Sequence, residues 1–232
     1  MSGGVWEREA ERWIAWARTP GHDGYQSYSE PFFAEIVPPP GRRTLEVGCG
    51  EGRVARDLRA RGHDVVAVDA VPRLVEAARD ADPDGEYLVA DATQLPFADA
   101  GFDLVVAHNT LMDVEDMPAA VGEAARVLER GGRIAVRVTH PLSDAGRFAS
   151  GDPDAPFVIH GSYFGRRRFE ATVERAGLTM TFSYWTYPLE DYVGALAAAG
   201  LLVERLREPR PALERSRRQR IPNFLDLRAV KP

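Results

Sequence analysis

The stretch that most limits what this chain can become is Leu45-Glu46-Val47-Gly48-Cys49-Gly50-Glu51-Gly52. An apolar run reaches glycines at alternate positions, and a helical stretch, Val54–Arg61, follows. Glycine lets a backbone turn tightly and lets another group approach with no Cβ in the way. A helix opening at such a turn offers its unpaired N–H groups to a polar ligand. The same strand-then-helix alternation continues across residues 41–141. Thr44–Val47, Val65–Asp69, Tyr87–Ala90, Phe102–His108 and Arg133–Thr139 read as short apolar strands. Val54–Arg61, Arg73–Arg79 and Ala119–Leu128 read as helices, the last closed by Gly131-Gly132. Strands apolar on both faces and separated by helices predict a parallel sheet covered on both sides, a doubly wound α/β fold.

The flanks read differently. Val5–Ala17 sets Val5, Trp6, Trp13, Ile14 and Trp16 among charges, an amphipathic helix stopped by Pro20-Gly21. With the aromatic-rich segment up to Pro38-Pro39-Pro40, residues 1–40 are predicted to form an N-terminal helical lid. Residues 142–165 have no periodicity and read as a long loop, of the kind that is usually functional. Phe169, Ala171 and Val173, then Leu178, Met180, Phe182 and Tyr184, alternate with polar residues about Ala176-Gly177. That pattern predicts an antiparallel hairpin. Residues 142–187 are therefore read as an inserted cap. Its apolar face must be covered by an acceptor cleft or by a second subunit of a homodimer. Residues 188–232 supply a helix, Glu190–Ala199, and two closing strands, Leu202–Leu206 and Phe224–Val230.

Composition bounds the function. The 232 residues, 44% hydrophobic and 28% charged, suit one large domain with a real core. A net charge of −6 argues against a nucleic-acid partner. The single cysteine, Cys49, excludes an internal disulfide and fits a reducing compartment. The first residues show no signal-peptide pattern, and no apolar run reaches membrane-spanning length. The expectation is a cytoplasmic protein with no membrane partner. No His, Cys, Asp and Glu cluster has metal-ligand spacing, so no metal is expected.

A glycine-rich turn alone is a weak signal, since nicotinamide and flavin enzymes use one too. Their pattern wants a third glycine where Arg53 stands. Glu46, just before the glycines, would repel a pyrophosphate but suits an ammonium or sulfonium cation. Asp69, ending the second strand, puts two acceptor oxygens at one point, as a ribose diol requires. Asp91 can accept from an adenine amino group while the Ala92 N–H donates to the ring.

Glu46, Gly48, Gly50, Gly52, Asp69, Asp91-Ala92, FDLVVAHN (102–109) and ARVLERGGRIAV (125–136), in that order, resemble the class I, Rossmann-like, S-adenosyl-L-methionine-dependent methyltransferases. Within them the likeness is to the small-molecule branch with the ubiquinone and menaquinone methyltransferases, and it covers residues 41–140. The resemblance implies a seven-stranded sheet of order 3-2-1-4-5-7-6 with the last strand antiparallel. It implies S-adenosylmethionine as cofactor. Gly48, Cys49, Gly50 and Gly52 would run along its methionine moiety, Asp69 and Ala70 would hold its ribose, and Asp91 and Ala92 its adenine. His108 and Asn109 would flank the methionine end. Tyr25 and Tyr28 of the lid are expected to close over the sulfonium, which electron-rich rings attract.

The family carries over no single catalytic residue. His22, His108 and His140 are the candidate general bases, useful only where the acceptor loses a proton. Phe148, Phe157, Tyr163, Phe164, Tyr184, Trp185 and Tyr187 in the cap point to a small aromatic or apolar acceptor, on oxygen, nitrogen or carbon. Two rivals stand beside this reading. One is an RNA methyltransferase using the basic runs Arg166–Arg168 and Arg215–Arg220, and the other is a non-catalytic protein that keeps the cofactor fold.

Overall fold

The computed structural model describes residues 3–211 and 217–232. Two helices come first, α1 (Gly3–Arg18) and α2 (Tyr25–Glu35). Strands and helices then alternate. They are β1 (Thr44–Val47), α3 (Arg53–Ala60), β2 (Val65–Asp69), α4 (Pro72–Ala81), β3 (Glu86–Val89), β4 (Phe102–His108), α5 (Met117–Val127) and β5 (Leu128–Thr139). After a short helix, α6 (Pro141–Asp144), come two hairpins. The first pairs β6 (Gly146–Phe148) with β7 (Phe157–Ile159), and the second pairs β8 (Arg167–Arg175) with β9 (Leu178–Thr186). The chain closes with α7 (Leu189–Ala198), β10 (Leu202–Arg207) and β11 (Phe224–Val230).

One sheet runs β10-β11-β5-β4-β1-β2-β3, with β11 antiparallel to both of its neighbours and β1 to β5 parallel. This is the order and the antiparallel strand that the resemblance implied. Its central strands read as apolar runs because both their faces are buried, while the edge strands β3 and β10 are largely exposed. Leu45, Val47, Val66, Val68, Val105 and Ala107 meet α5 and α7 on one face. Val65, Ala67, Leu104 and Val106 meet α2, α3 and α4 on the other. Glu46 breaks the apolar run of β1, and it is only 1% exposed.

Three elements depart from the sequence reading. Within the aromatic segment 21–40 a helix, α2, forms despite Pro31 in its interior, and it buries Tyr28, Phe32 and Phe33. Gly131-Gly132 does not separate helix from strand. It lies inside β5, where the register against β4 slips, and Gly131 takes a φ of +77°. The predicted loop 142–165 holds α6 and the β6–β7 hairpin, whose strands are too short to show a period.

The β8–β9 hairpin is as predicted. Ala176 and Gly177 turn it with φ of +48° and +81°, the pair of left-handed conformations a two-residue turn needs. Its apolar face is covered within the chain: Met180 is fully buried, and Phe182 sits edge-on to Trp13 and Trp16 of α1. Polar bonds fasten it there. Thr181 N donates to Glu9, Arg175 Nη1 donates to the carbonyls of Gly21 and His22, and His22 Nε2 donates to the Arg175 carbonyl. None of the described helices is long and apolar enough to cross a membrane.

Candidate active site

A cavity of about 940 Å³ opens at the carboxyl ends of the parallel strands, the edge where open α/β sheets bind ligands. Its floor is the loops after β1, β2, β3 and β4. Its roof is Trp6 and Trp13 of α1, Tyr25 and Tyr28 of α2, and Phe169, Ala171, Val173, Phe182 and Tyr184 of the hairpin.

The glycine turn is built as the sequence implied, although its glycines serve different ends. A Cβ on Gly48 would come within 2.3 Å of the Thr110 side chain, which is fixed by its own bond to the Val47 carbonyl. Gly50, at φ +55°, faces the cavity, and a Cβ there would meet the Trp13 indole at 3.2 Å. Gly52 is off the wall: it caps α3 at φ +85° and packs against Ala78 and Tyr87. Glu51, buried in the turn, pairs with Arg18 of α1 and Arg56 of α3, so the loop is tied to the roof. Cys49 lines the cavity, but burial and the nearby Asp69 and Glu46 hold its thiol well above the usual range, so it is no thiolate nucleophile.

The other floor residues converge. Asp69 accepts from the Gly50 and Val71 amides at 2.8 and 2.9 Å, one on each oxygen, which leaves a further lone pair on each. Asp91 Oδ1 accepts from the amide and hydroxyl of Thr93, and Ala70 and Ala92 stand beside these acids on the wall. Asn109 holds a left-handed φ of +56° after β4, with its Oδ1 buried and unpartnered. Such strain in a residue other than glycine concentrates at functional sites. Glu46 is the strongest electrostatic feature. Its Oε2 has no hydrogen-bond partner, and burial, with Asp69 and Glu51 nearby, pushes its carboxyl up to about 8.

Of the three candidate histidines, His108 faces the cavity. Burial, then Arg137 and Arg53, push it well below its usual value, so its imidazole is neutral, with Nε2 unpartnered. His140 and His22 lie off the wall. His140 Nδ1 accepts from the Leu142 amide to cap α6, and its Nε2 donates to Glu208. His22 Nε2 is spent on Arg175.

Tyr25 and Tyr28 do roof the cavity, but Arg53 already lies 4.2 Å over the Tyr25 ring, and the Tyr25 hydroxyl donates to Asp57. Trp185 and Tyr163 are also off the wall. Trp185 carries Arg166 on its face, and Tyr163 accepts from the Leu189 amide. Sequence reasoning missed several wall residues, two of which bear on the chemistry. Arg137 of β5 is one; its partner Asp226 stands directly opposite on β11, at 2.6 Å, and neither is more than 1% exposed. Asp113, on the loop after β4, is the other.

A family model described as a methyltransferase domain matches residues 45–136. The chain is 31% identical over 166 residues to a demethylmenaquinone methyltransferase of Beutenbergia cavernae, spanning 71% of this chain and 65% of that one. It is 37% identical over 95 residues to a malonyl-[acyl-carrier protein] O-methyltransferase of Serratia marcescens, spanning 41% of this chain and 37% of that one. These curated relatives are therefore matched over less than two thirds of their length. The crystal structure of an S-adenosylmethionine dependent methyltransferase from Mesorhizobium loti superposes with a TM-score of 0.70 at 23% identity, covering 86% of this chain and 96% of that one.

Proposed function

We propose, from the premise that this chain belongs to the class I S-adenosylmethionine-dependent methyltransferase family, that it methylates a small aromatic or apolar molecule held between the sheet edge and the roof. The observation that carries this reading is one cavity with acids on its floor and aromatic rings on its roof. At about 940 Å³ it is near the upper end of ligand pockets, roughly 300–1,000 Å³, which leaves room for an acceptor beside a cofactor.

The residues fit the cofactor. The unpartnered Glu46 oxygen suits its ammonium, the spare lone pairs of Asp69 suit its ribose diol, and the second oxygen of Asp91 suits its adenine amine. When bound, S-adenosylmethionine supplies a methyl group on a cationic sulfur, which leaves as a neutral thioether once a nucleophile takes the methyl. The chain's own part is then to orient and to exclude water. Orientation of this kind is worth up to about 7–11 kcal/mol. Of the three candidate histidines His108 is the one on the wall, but burial with Arg137 and Arg53 resists its protonation and makes it a weak base, so orientation carries the rate. An RNA substrate fits less well. Arg167 is bound to the Asp144 carbonyl, Arg168 to Ser183 and Arg220 to the Ala155 carbonyl, while Arg215 lies outside the described residues.

Calorimetry should find micromolar binding of S-adenosylmethionine and of its demethylated product, and none of NAD. Asp69→Ala should weaken the cofactor by roughly 1.5–3 kcal/mol, about ten- to a hundredfold. NAD binding together with silence from the sulfonium would overturn the reading.

We assign the hairpin a separate role, shaping the acceptor half. Phe169 stacks on Tyr184 at 4.6 Å and forms wall. With an acceptor found by screening against labelled S-adenosylmethionine, Phe169→Ala should lower kcat/KM by about tenfold, roughly 1.4 kcal/mol, with cofactor affinity within twofold. Equal loss of cofactor binding would place the hairpin on the cofactor instead.

A further inference from the structure

Asp113 is a carboxyl on the cavity wall for which the cofactor reading has no use. Its backbone amide donates to the Thr110 carbonyl at 2.8 Å, which fixes the turn that carries it. Its Oδ1 is buried and makes no hydrogen bond of good geometry, although the Trp6 indole N–H and the Arg168 guanidinium lie near enough to favour its charged form. Burial, followed by the charge of Asp69, pushes the carboxyl up to about 8. Native folds rarely keep a buried acceptor unsatisfied without a use for it.

The surroundings say what would satisfy it. Arginines reach the same cavity but are committed elsewhere. Arg53 is paired with Asp23, Arg137 with Asp226, and Arg218 donates to Ser143. Glu46, Asp69 and Asp91 share the wall with Asp113. The cofactor brings an ammonium and a sulfonium against one carboxylate, and its ammonium is matched to Glu46. A further cation is what the wall can still accommodate. Rings supply the rest of the setting. Trp6 lies beside Asp113, and the stacked Phe169 and Tyr184 form the wall of the hairpin. Ring faces attract a cation and cover an apolar body equally well.

We propose that Asp113 is the acceptor-recognition residue, and that the acceptor is an amine: a small molecule with a protonated nitrogen on an aromatic or apolar body. This rests on the methyltransferase reading above and adds the charge of its substrate. An anionic acceptor would face Asp69 and Asp91, whereas a protonated amine lets Asp113 give up its proton and pair with it.

The test uses three probes of one shape, phenethylamine, phenethyl alcohol and hydrocinnamate, titrated by calorimetry into the full chain saturated with S-adenosylhomocysteine. Phenethylamine should bind at least about tenfold tighter than the other two, as a charge-assisted hydrogen bond implies. Asp113→Asn should erase that preference and leave S-adenosylhomocysteine affinity within twofold. Hydrocinnamate binding as tightly, an Asn variant that keeps the preference, or no phenethylamine binding up to millimolar concentration would each overturn the proposal. If the variant does not fold, the order of the three probes on the wild type decides. Wild-type protein that fails to bind S-adenosylhomocysteine would instead sink the methyltransferase reading.

Discussion

Arg137→Ala should lower the stability of the fold by about 3–5 kcal/mol and loosen α2 from the sheet. The guanidinium makes two bonds of 2.6 Å to the oxygens of Asp226, and its remaining Nη donates to the Tyr28 carbonyl at 2.8 Å. It also lies within 4.8 Å of the Phe32 ring centre and 5.2 Å of Phe224. A pair this deep adds little over an apolar substitute, because desolvating two charges consumes most of the attraction. Breaking it is another matter, since Asp226 would remain buried with nothing opposite. Even beside Arg137, burial holds Asp226 above its usual value. Denaturant unfolding checks this, with Arg137→Ala/Asp226→Ala as control. The double variant should be no less stable than the single one, the sign that the orphaned acid carries the cost. Arg137→Lys should not restore stability, because an ammonium cannot make both bonds and reach Tyr28. A loss under about 1 kcal/mol on Arg137→Ala would show the pair to be dispensable.

The ligand-free protein should also lose stability as pH rises from 6.5 to 8. Glu46 and Asp113 hold their protons in the folded chain up to about 8, against ordinary values of 4.5 and 3.8. Over that range the unfolded chain binds fewer protons than the folded one, so unfolding becomes easier as pH rises. Below 6.5 the lowered His63, His108 and His140 work in the opposite direction, since the unfolded chain then takes protons that they refuse. Each unfolded imidazole is still about half protonated at pH 6.5, so the histidines offset part of the fall there and the slope of the two acids shows cleanly only above about 7.5. Two groups across that window amount to as much as about 4 kcal/mol. Thermal unfolding at several pH values reads it. If the proposed pose holds, with the ammonium of S-adenosylmethionine on Glu46 and Asp113 untouched, the cofactor should raise Tm and flatten the slope by about half. A ligand-free Tm that climbs from pH 6.5 to 8 would mean these carboxyls ionise freely, and the wall would not be as it is described.

What could be read from the residues followed from repetition. The central strands β1, β2 and β4 and the second half of β5 are short, mostly apolar runs bounded by turn residues, and burial on both faces produces that text directly. Asp69 and the glycine turn were legible because strand ends in such a sheet all arrive at one edge. The β8–β9 hairpin announced itself by strict alternation. Where the physics is non-local, the residues carry no mark. α2 contains Pro31 and has no side-chain cap, and it is held by Phe32, Phe33 and the distant Arg137. Nothing within 21–40 alone predicts that. Gly131-Gly132 reads the same whether it ends an element or lets a strand bulge. Trp185 and Tyr163 were grouped with the cavity for being aromatic, but side-chain direction in the folded chain decides which rings face inward. Asp113 is a single acid in a loop, and only its unpaired burial singles it out.

The floor and roof of the cavity belong to different stretches of chain. The floor comes from residues 46–114, inside the region matched by the methyltransferase domain, and the aromatic roof from residues 6–28 and 169–184, outside it. The sheet needs the first stretch for its own closure, and it pairs no strand with the second. A lineage built this way is free to vary two of its parts at different rates. Substitutions in the roof are screened mainly by what the protein acts on, while those in the floor must first keep the sheet folded. On the proposed function, descent from a shared ancestor would preserve the methyl donor while letting the acceptor diverge, and an engineer could leave strands β1 to β4 untouched and work on the roof alone.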